Sequence, residues 1–387
     1  MNYVDILSDL VKIPSTTGNE EKIVPYIKSL FEGIGCIVKV IRTTQRGKNI
    51  NNIIINPQRN PSLIINTHMD VVPANGWEKA FEPKIRDGKI YGRGTCDAKG
   101  QIVLVYETIK LLRRIGPHCI NKIEWHIVSG EEDGGFGTSF LLQKYSHHNN
   151  AVKAVIVLEP TNFALFPANR GALWFRIILH GKSTHMGEFS KGINAIDRAA
   201  KIIDSFADFR KYLLEISPST ELFGDPTEFI NINVGRVSGG EWPSIVADYA
   251  TIDGGISFLP NLSAKGVLKL FENFIKTTNT NYKGSIEVIP LSLKNDGYET
   301  PKNSNICLAL GDSVRIRNKK CIVTGWNASC DARLYAKKYK VPTVVFGPGS
   351  LMLAHSNHEH IKLSELSRGI EILSDGIINF FEINGLC

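Results

Sequence analysis

Four apolar stretches in this chain run directly into an acid or a histidine, and that repeated pattern limits what the chain can fold into. Leu63, Ile64 and Ile65 lead through Asn66 and Thr67 to His68 and Asp70. The stretch from Ile123 to Ser129 leads to Glu131-Glu132-Asp133, inside a Gly-rich segment bounded by Gly130 and Gly135. Val152 to Leu158 leads to Glu159-Pro160-Thr161, and Val341 to Phe346 leads through Gly-Pro-Gly to His355. Short apolar runs bounded by turn residues read as buried strands. Helical periodicity separates several of them, in Gln101 to Gly116 and in Thr138 to Tyr145. This alternation predicts an α/β fold with a doubly wound, mostly parallel sheet, whose ligands bind at the carboxyl ends of the strands. His68, Asp70, Asp97, Glu131, Glu132, Glu159 and His355 are then expected along one edge of the sheet.

Their chemistry fits a cation. In His68-Met69-Asp70 the middle residue points to the opposite face, so a carboxylate is available to receive the second ring N–H of a metal-bound imidazole. Asp97 lies between Gly94 and Gly100, where small residues allow close backbone approach. Glu131 and Glu132 can divide the work, one binding metal while the other takes a proton from water. Carboxylates gathered this way repel one another and titrate upward unless a cation holds them. Mixed His and carboxylate donors suit zinc, or manganese or cobalt. Each motif alone has a plainer reading. An isolated acidic turn is a solvated turn, and His355 competes as a ligand with His358 and His360.

From Arg170 to about Pro290 the texture changes. Ala172 to Leu179 reads as a strand, Asn194 to Leu214 as a helix, and Phe229 to Val237 and Asp248 to Phe258 as strands. Ala264 to Lys276 reads as a helix and Ser285 to Ile289 as a last strand. That order is the split βαβ, ferredoxin-like pattern of a small α+β domain. It predicts a discontinuous first domain, 1–171 with 290–387, and an inserted domain, 172–289. At the start of the first domain, residues 3 to 33 read as helical, with Thr17 or Asn19 as the cap of a second helix.

Composition narrows the alternatives. A chain of 387 residues exceeds one ordinary core. It has no apolar run of the roughly 18 residues that a membrane span needs, and its acidic start is unlike a signal peptide, so a cytosolic location is expected. The net charge of +7 is spread out, with pairs such as Lys319-Lys320 and Lys337-Lys338 and no basic stripe, which argues against nucleic-acid binding. Seven cysteines, Cys387 among them, form no C-x-x-C, so reduced thiols are expected, with Cys96 in a packing role beside Asp97. Gly181-Lys182-Ser183-Thr184 is not a P-loop, because Arg176 stands where a glycine is needed. No G-x-S-x-G elbow is present, which argues against a serine hydrolase.

Taken together, these motifs resemble those of the M20 zinc metallopeptidases and deacylases, over nearly the whole chain and in the same order. That group contains acetylornithine deacetylase, succinyl-diaminopimelate desuccinylase, aminoacylase and a glutamate-releasing carboxypeptidase. The resemblance implies two divalent metals, most often Zn2+ with Co2+ or Mn2+ as alternatives. His68 and Glu159 would bind one and Glu132 and His355 the other, with Asp97 bridging them. Glu131 would be the general base and Asp70 the partner that orients His68. The choice of His355 follows the family's H-x-x-x-E, matched by His355 and Glu359. The inserted domain resembles a lid that also forms a homodimer, and its His185 would stabilise the oxyanion in the partner's active site. Arg333, in Ser-Cys-Asp-Ala-Arg, together with Asn233 and Arg170, would bind substrate.

Two segments depart from the family pattern: Glu241-Trp242-Pro243-Ser244, where many members carry Asn and a Val-Pro pair, and Gly255-Ile256-Ser257, where many carry an Arg. The implied reaction is hydrolysis of an amide in an N-acylated amino acid or similar small molecule. The alternatives are a di-/tripeptidase or carboxypeptidase of the same family, or a catalytically silent protein that binds a metabolite.

Overall fold

A computed structural model describes residues 2–45, 47–145, 151–282, 284–318 and 320–386; Lys319 and Cys387 lie outside them. The chain forms two compact units. The first comprises Met1–Ala168, Thr300–Thr324 and Cys330–Cys387, and the second comprises Asn169–Glu299 and Gly325–Ser329.

The first unit opens with α1 (Tyr3–Lys12), whose free N–H groups at Val4 and Asp5 are taken up by the Asn2 side chain, and α2 (Ile23–Glu32) follows. Next come a hairpin of β1 (Val38–Gln45) and β2 (Lys48–Ile55), then β3 (Leu63–His68) and the short β4 (Lys84–Arg86) and β5 (Lys89–Tyr91). After α3 (Lys99–Ile115) and α4 (Pro117–Ile120) the chain passes through β6 (Ile123–Val128), α5 (Phe136–Lys144), β7 (Ala154–Leu158) and β8 (Leu165–Asn169).

The second unit contains β9 (Gly171–His180), α6 (Ala195–Glu215), β10 (Ile232–Gly239), β11 (Tyr249–Phe258), α7 (Ala264–Thr278) and β12 (Ser285–Asn295). Short strands β13 (Tyr298–Glu299) and β14 (Val323–Trp326) lie where the chain passes from one unit to the other. The returning chain supplies α8 (Asn305–Asn318), α9 (Ala332–Tyr339), β15 (Thr343–Phe346), β16 (His360–Lys362) and α10 (Leu363–Ile383).

Within the first unit the strands are ordered β1-β2-β6-β3-β7-β15-β8. The central neighbours β6/β3, β3/β7 and β7/β15 are parallel, and antiparallel pairs flank them. The central four are the acid- or histidine-tipped apolar stretches, and every residue in them is buried. Burial on both faces explains their continuous apolar character. Alternation along β2 shows the two faces: Ile53 and Ile55 join a core shared with α1, α2, α3, α8 and α10, whereas Ile54 joins Val128 and Leu141 of α5. No helix among the described residues is long and apolar enough to cross a membrane.

The second unit is a four-stranded antiparallel sheet in the order β10-β11-β9-β12. Leu173, Phe175, Ile177 and Leu179 of β9 are buried, and Phe175 packs on Phe206 of α6 and Phe271 of α7 at centroid distances of 5.8 and 4.6 Å. The expected return at 290 falls inside β12. Pro290 has no N–H to give and the pairing with β9 shifts register beyond it, but β12 lies at the sheet edge, so the strand continues to Asn295.

Candidate metal centre

His68 ends β3 and is 1% exposed. Its Nδ1 lies 3.0 Å from the main-chain oxygen of Asp70 and 3.5 Å from Asp70 Oδ1, so the nearer acceptor is the carbonyl. That contact turns Nε2 toward Asp97 Oδ1 at 3.0 Å and Glu159 Oε2 at 3.7 Å. Across Asp97 a second group forms. His355 Nε2 is 3.3 Å from Asp97 Oδ2 and 3.0 Å from Glu132 Oε2. The donor atoms of His68, Asp97 and Glu159 lie within 4.8 Å of one another, and so do those of Asp97, Glu132 and His355. Asp97 presents one oxygen to each group. His358 and His360 belong to neither: the His358 N–H donates to Ser356, and the His360 ring meets the His358 carbonyl and packs on Tyr91.

Asp70 is more than an orienter of His68. Its Oδ1 accepts the N–H of Glu131 at 3.1 Å, and its Oδ2 accepts the N–H of Glu132 at 3.2 Å. Thr17 Oγ1 also donates to Oδ2 at 2.9 Å, so one of the two residues expected to cap a helix serves the site instead. One residue thereby fixes the imidazole of the first group, chiefly through its carbonyl, and through its carboxylate the backbone that carries Glu132 of the second. Glu131 extends from the same turn and belongs to neither donor group.

The electrostatics follow from this crowding. Burial drives the Glu131 carboxyl well above its ordinary value, and nearby Glu159 and Asp331 add to that. Burial likewise pushes Glu159 up to about 7, and burial followed by Asp97 raises Glu132. Burial works against a charged His68 ring, but Glu159 and hydrogen bonds to Asp70 and Asp97 outweigh it, and the net shift is upward. Hydrogen bonds to Asp97 and then Glu132 push His355 up to about 10. Asp97, although burial opposes its charge, is held below the ordinary carboxylate range by His355 and His68. Anions held this closely around two imidazoles are the environment that a divalent cation relieves. Three oxygen-bearing side chains and two imidazoles, converging in two groups, fit zinc, cobalt or manganese.

A further layer holds the ligand loops. Glu359 is fully buried; its Oε1 accepts the N–H groups of Cys96 and Asp97 at 3.1 and 3.2 Å, and its Oε2 accepts from Arg93 Nη1 at 2.8 Å. Cys96 is a packing residue, with burial and then Glu359 raising its thiol well above its usual range. Arg333 Nη2 donates to the carbonyl of Gly134 at 2.8 Å.

His185, Arg170 and Asn233 belong to the second unit. His185 caps the short 3-10 helix Met186–Lys191 through Nδ1, which accepts the Gly187 N–H at 3.1 Å. Arg170 Nε donates to Asn327, and Asn233 lies on β10; both line a cavity of about 550 Å3 together with Trp174, Gly235 and Gly255. Sequence reasoning missed the roles of Thr17, Arg93 and Asp331. Thr17 and Arg93 act through contacts far along the chain, but Asp331, two residues before Arg333, offered a signal.

A doubly wound sheet with two donor groups sharing one aspartate at its carboxyl edge is the framework of a metal-dependent hydrolase. The chain belongs to peptidase family M20/M25/M40, whose family model matches residues 64–379. It is 24% identical over 404 aligned residues to a probable succinyl-diaminopimelate desuccinylase of Staphylococcus aureus strain N315, covering 98% of this chain and 97% of the relative. Among solved structures it is similar to a tripeptidase of Staphylococcus aureus, with a TM-score of 0.78, 21% identity and coverage of 98% of both chains. It is also similar in fold to a Bacillus subtilis protein described as a dinuclear metal-binding peptidase of family M20, with a TM-score of 0.68, 14% identity and coverage of 98% of both chains.

Proposed function

We propose that this chain hydrolyses the amide bond of an N-acylated amino acid or a similar small molecule, with Glu131 as general base. The observation that carries this reading is the placement of Glu131 on the turn that supplies Glu132, tied by its N–H to Asp70 and outside both donor groups. His68, Asp97 and Glu159 would hold one divalent ion, and Asp97, Glu132 and His355 a second, zinc being preferred over cobalt or manganese. Such ions, when bound, supply Lewis acidity and lower the pKa of water toward neutrality. Glu131 accepts the proton that the attacking water gives up and later delivers it to the leaving nitrogen, so its carboxylate is regenerated in each cycle. Its raised proton affinity suits both halves of that exchange. Asp70 keeps His68 and the Glu131–Glu132 backbone in register while the proton moves. On the family resemblance, His185 of the second unit is assigned to the oxyanion, and Asn233 and Arg170 of that unit, with Arg333 of the first, to substrate recognition.

The test is mass-spectrometric turnover of N-acetyl, N-formyl and N-succinyl amino acids and of dipeptides, with zinc or cobalt added and a chelator control. Cleavage of one acyl series that stops with chelator is the expected result. Cleavage of dipeptides alone would replace the deacylase reading with a peptidase one. Silence across the panel with metal bound would favour a metabolite-binding protein.

Homodimer formation through the inserted unit is part of the same proposal. Strand β10 lies at its sheet edge, and Val237 on it and Trp242 beyond it are 51% and 68% exposed; Met186 and Phe189 of the same unit are exposed as well. An open strand edge with apolar neighbours is a ready pairing surface. Val237→Asp with Trp242→Asp is expected to convert a dimer to a monomer in light scattering. A native chain that is already monomeric, or a doubly substituted chain that stays dimeric, would remove the inserted unit from that role.

A further inference from the structure

The turn that carries Glu131 and Glu132 is held on one side by Asp70, and on its other side it meets α9. Asp331, at the N-terminus of α9, is 1% exposed and makes no side-chain capping bond to its own helix. Its Oδ2 instead accepts a hydrogen bond of 2.5 Å from Thr138 Oγ1 of α5. Its Oδ1 rests against the backbone of Gly135, at the end of the turn. Gly135 has φ of +72°, and a Cβ added there would lie 2.1 Å from that oxygen, so only glycine fits. Oδ1 itself has no hydrogen-bond partner among the described residues. Two positions further on, Arg333 donates to the carbonyl of Gly134.

Helix α9 is itself fixed to the strands that deliver the site. The hydroxyl of Tyr335 meets His126 Nδ1 at 2.7 Å and accepts from Asn66 Nδ2 at 3.1 Å, and His126 Nε2 meets Glu124 at 2.7 Å. All four side chains are buried. Asn66 lies on β3, two residues before His68, while Glu124 and His126 lie on β6, which ends at the Glu131 turn. The polar face of these two strands thus sets α9, and α9 meets the turn through Asp331 and Arg333.

A buried carboxylate with one unpaired oxygen is costly, and neither helix capping nor a salt bridge accounts for it here. We infer that α9 sets the position of the Glu131–Glu132 turn, and that Asp331 is a positioning residue for the reaction, acting through Thr138 and Gly135. This inference rests on the proposed role of Glu131, but not on the identity of the substrate. The turn is a loop between a strand and a helix, held at Glu131 and Glu132 by Asp70 and met at Gly134 and Gly135 by α9. Small displacements of a proton-transferring carboxylate are expensive in rate.

The test uses Thr138→Val, which deletes the hydroxyl with little change of shape, because Asp331→Ala risks misfolding. In the metal-loaded protein Thr138→Val is expected to lower kcat by about 10- to 100-fold with KM unchanged, and Thr138→Ser to restore it. Amide hydrogen exchange of the metal-free protein supplies a second readout: exchange should quicken in the peptide spanning 130–137 and stay unchanged elsewhere. Native kcat and native exchange in Thr138→Val would overturn the inference. Exchange quickened throughout the first unit would also overturn it, because the contact would then be a general stabiliser. A Glu131→Gln control separates the two levels. Full activity in that control defeats the proposed base, whereas an inactive control alongside an unaffected Thr138→Val defeats only the positioning role.

Discussion

Glu131→Gln is expected to lose turnover by roughly 100- to 10,000-fold while binding the same amount of metal as the native chain. The substitution keeps the side-chain volume, and it keeps the main-chain N–H bond to Asp70, because that bond does not involve the side chain. It removes only the capacity to accept a proton. Since Glu131 contributes no atom to either donor group, the metal content measured by elemental analysis should not change. KM should move little, because substrate contacts and ligand geometry are preserved. Glu132→Gln should behave differently: Glu132 lies 3.0 Å from His355 Nε2 within the second group, so metal content should fall together with activity. If Glu131→Gln retained near-native turnover, or lost metal as Glu132→Gln is expected to, the division of labour between the neighbouring acids would be wrong.

Much of this site was legible in the sequence because it is built at strand ends. A buried parallel strand announces itself as an unbroken apolar run, and the residue that follows it lies at the carboxyl edge by topology. His68, Glu131, Glu132 and Glu159 are all reached in this way, and His355 lies a short loop beyond β15. The antiparallel sheet of the second unit was readable for a similar reason, through the alternation along β9.

What stayed hidden depends on contacts that no local pattern encodes. Thr17 reads as a helix cap, yet its hydroxyl serves a carboxylate 53 residues away. Glu359 reads as the end of an H-x-x-x-E motif; its actual partners are backbone N–H groups 263 and 262 residues away, at Cys96 and Asp97. Strand β12 passed beyond Pro290 because it is an edge strand, which only the assembled sheet reveals. One signal was present and went unread. Glu124 and His126 alternate with Trp125 and Ile127 on β6, placing an acid and an imidazole on one face of a fully buried strand. Polar residues at period two in such a strand imply a polar partner over that face, which Tyr335 of α9 provides.

Glu359→Gln is expected to destabilise the metal-free protein by about 3–5 kcal/mol in chemical denaturation, the cost of leaving a buried charge without its partner. Arg93 is 1% exposed, its Nε and Nη2 have no hydrogen-bond partner among the described residues, and its guanidinium lies 5.6 Å from the Trp77 ring centroid. Its charge is therefore compensated mainly by Glu359, at 2.8 Å. A glutamine at 359 still offers an oxygen to the N–H groups of Cys96 and Asp97, so the loop that presents Asp97 keeps its acceptor but loses the anion that anchors Arg93. Metal affinity, measured by titration, should fall by about 10- to 100-fold, because the restraint behind Asp97 is loosened. Adding Arg93→Met to Glu359→Gln removes the stranded charge and should recover part of the lost stability, so the double variant is expected to unfold at higher denaturant than Glu359→Gln alone. If the double variant were instead no more stable than the single one, the pair would act as two independent packing residues, and the clamp on the Asp97 loop would have to be sought in the backbone alone.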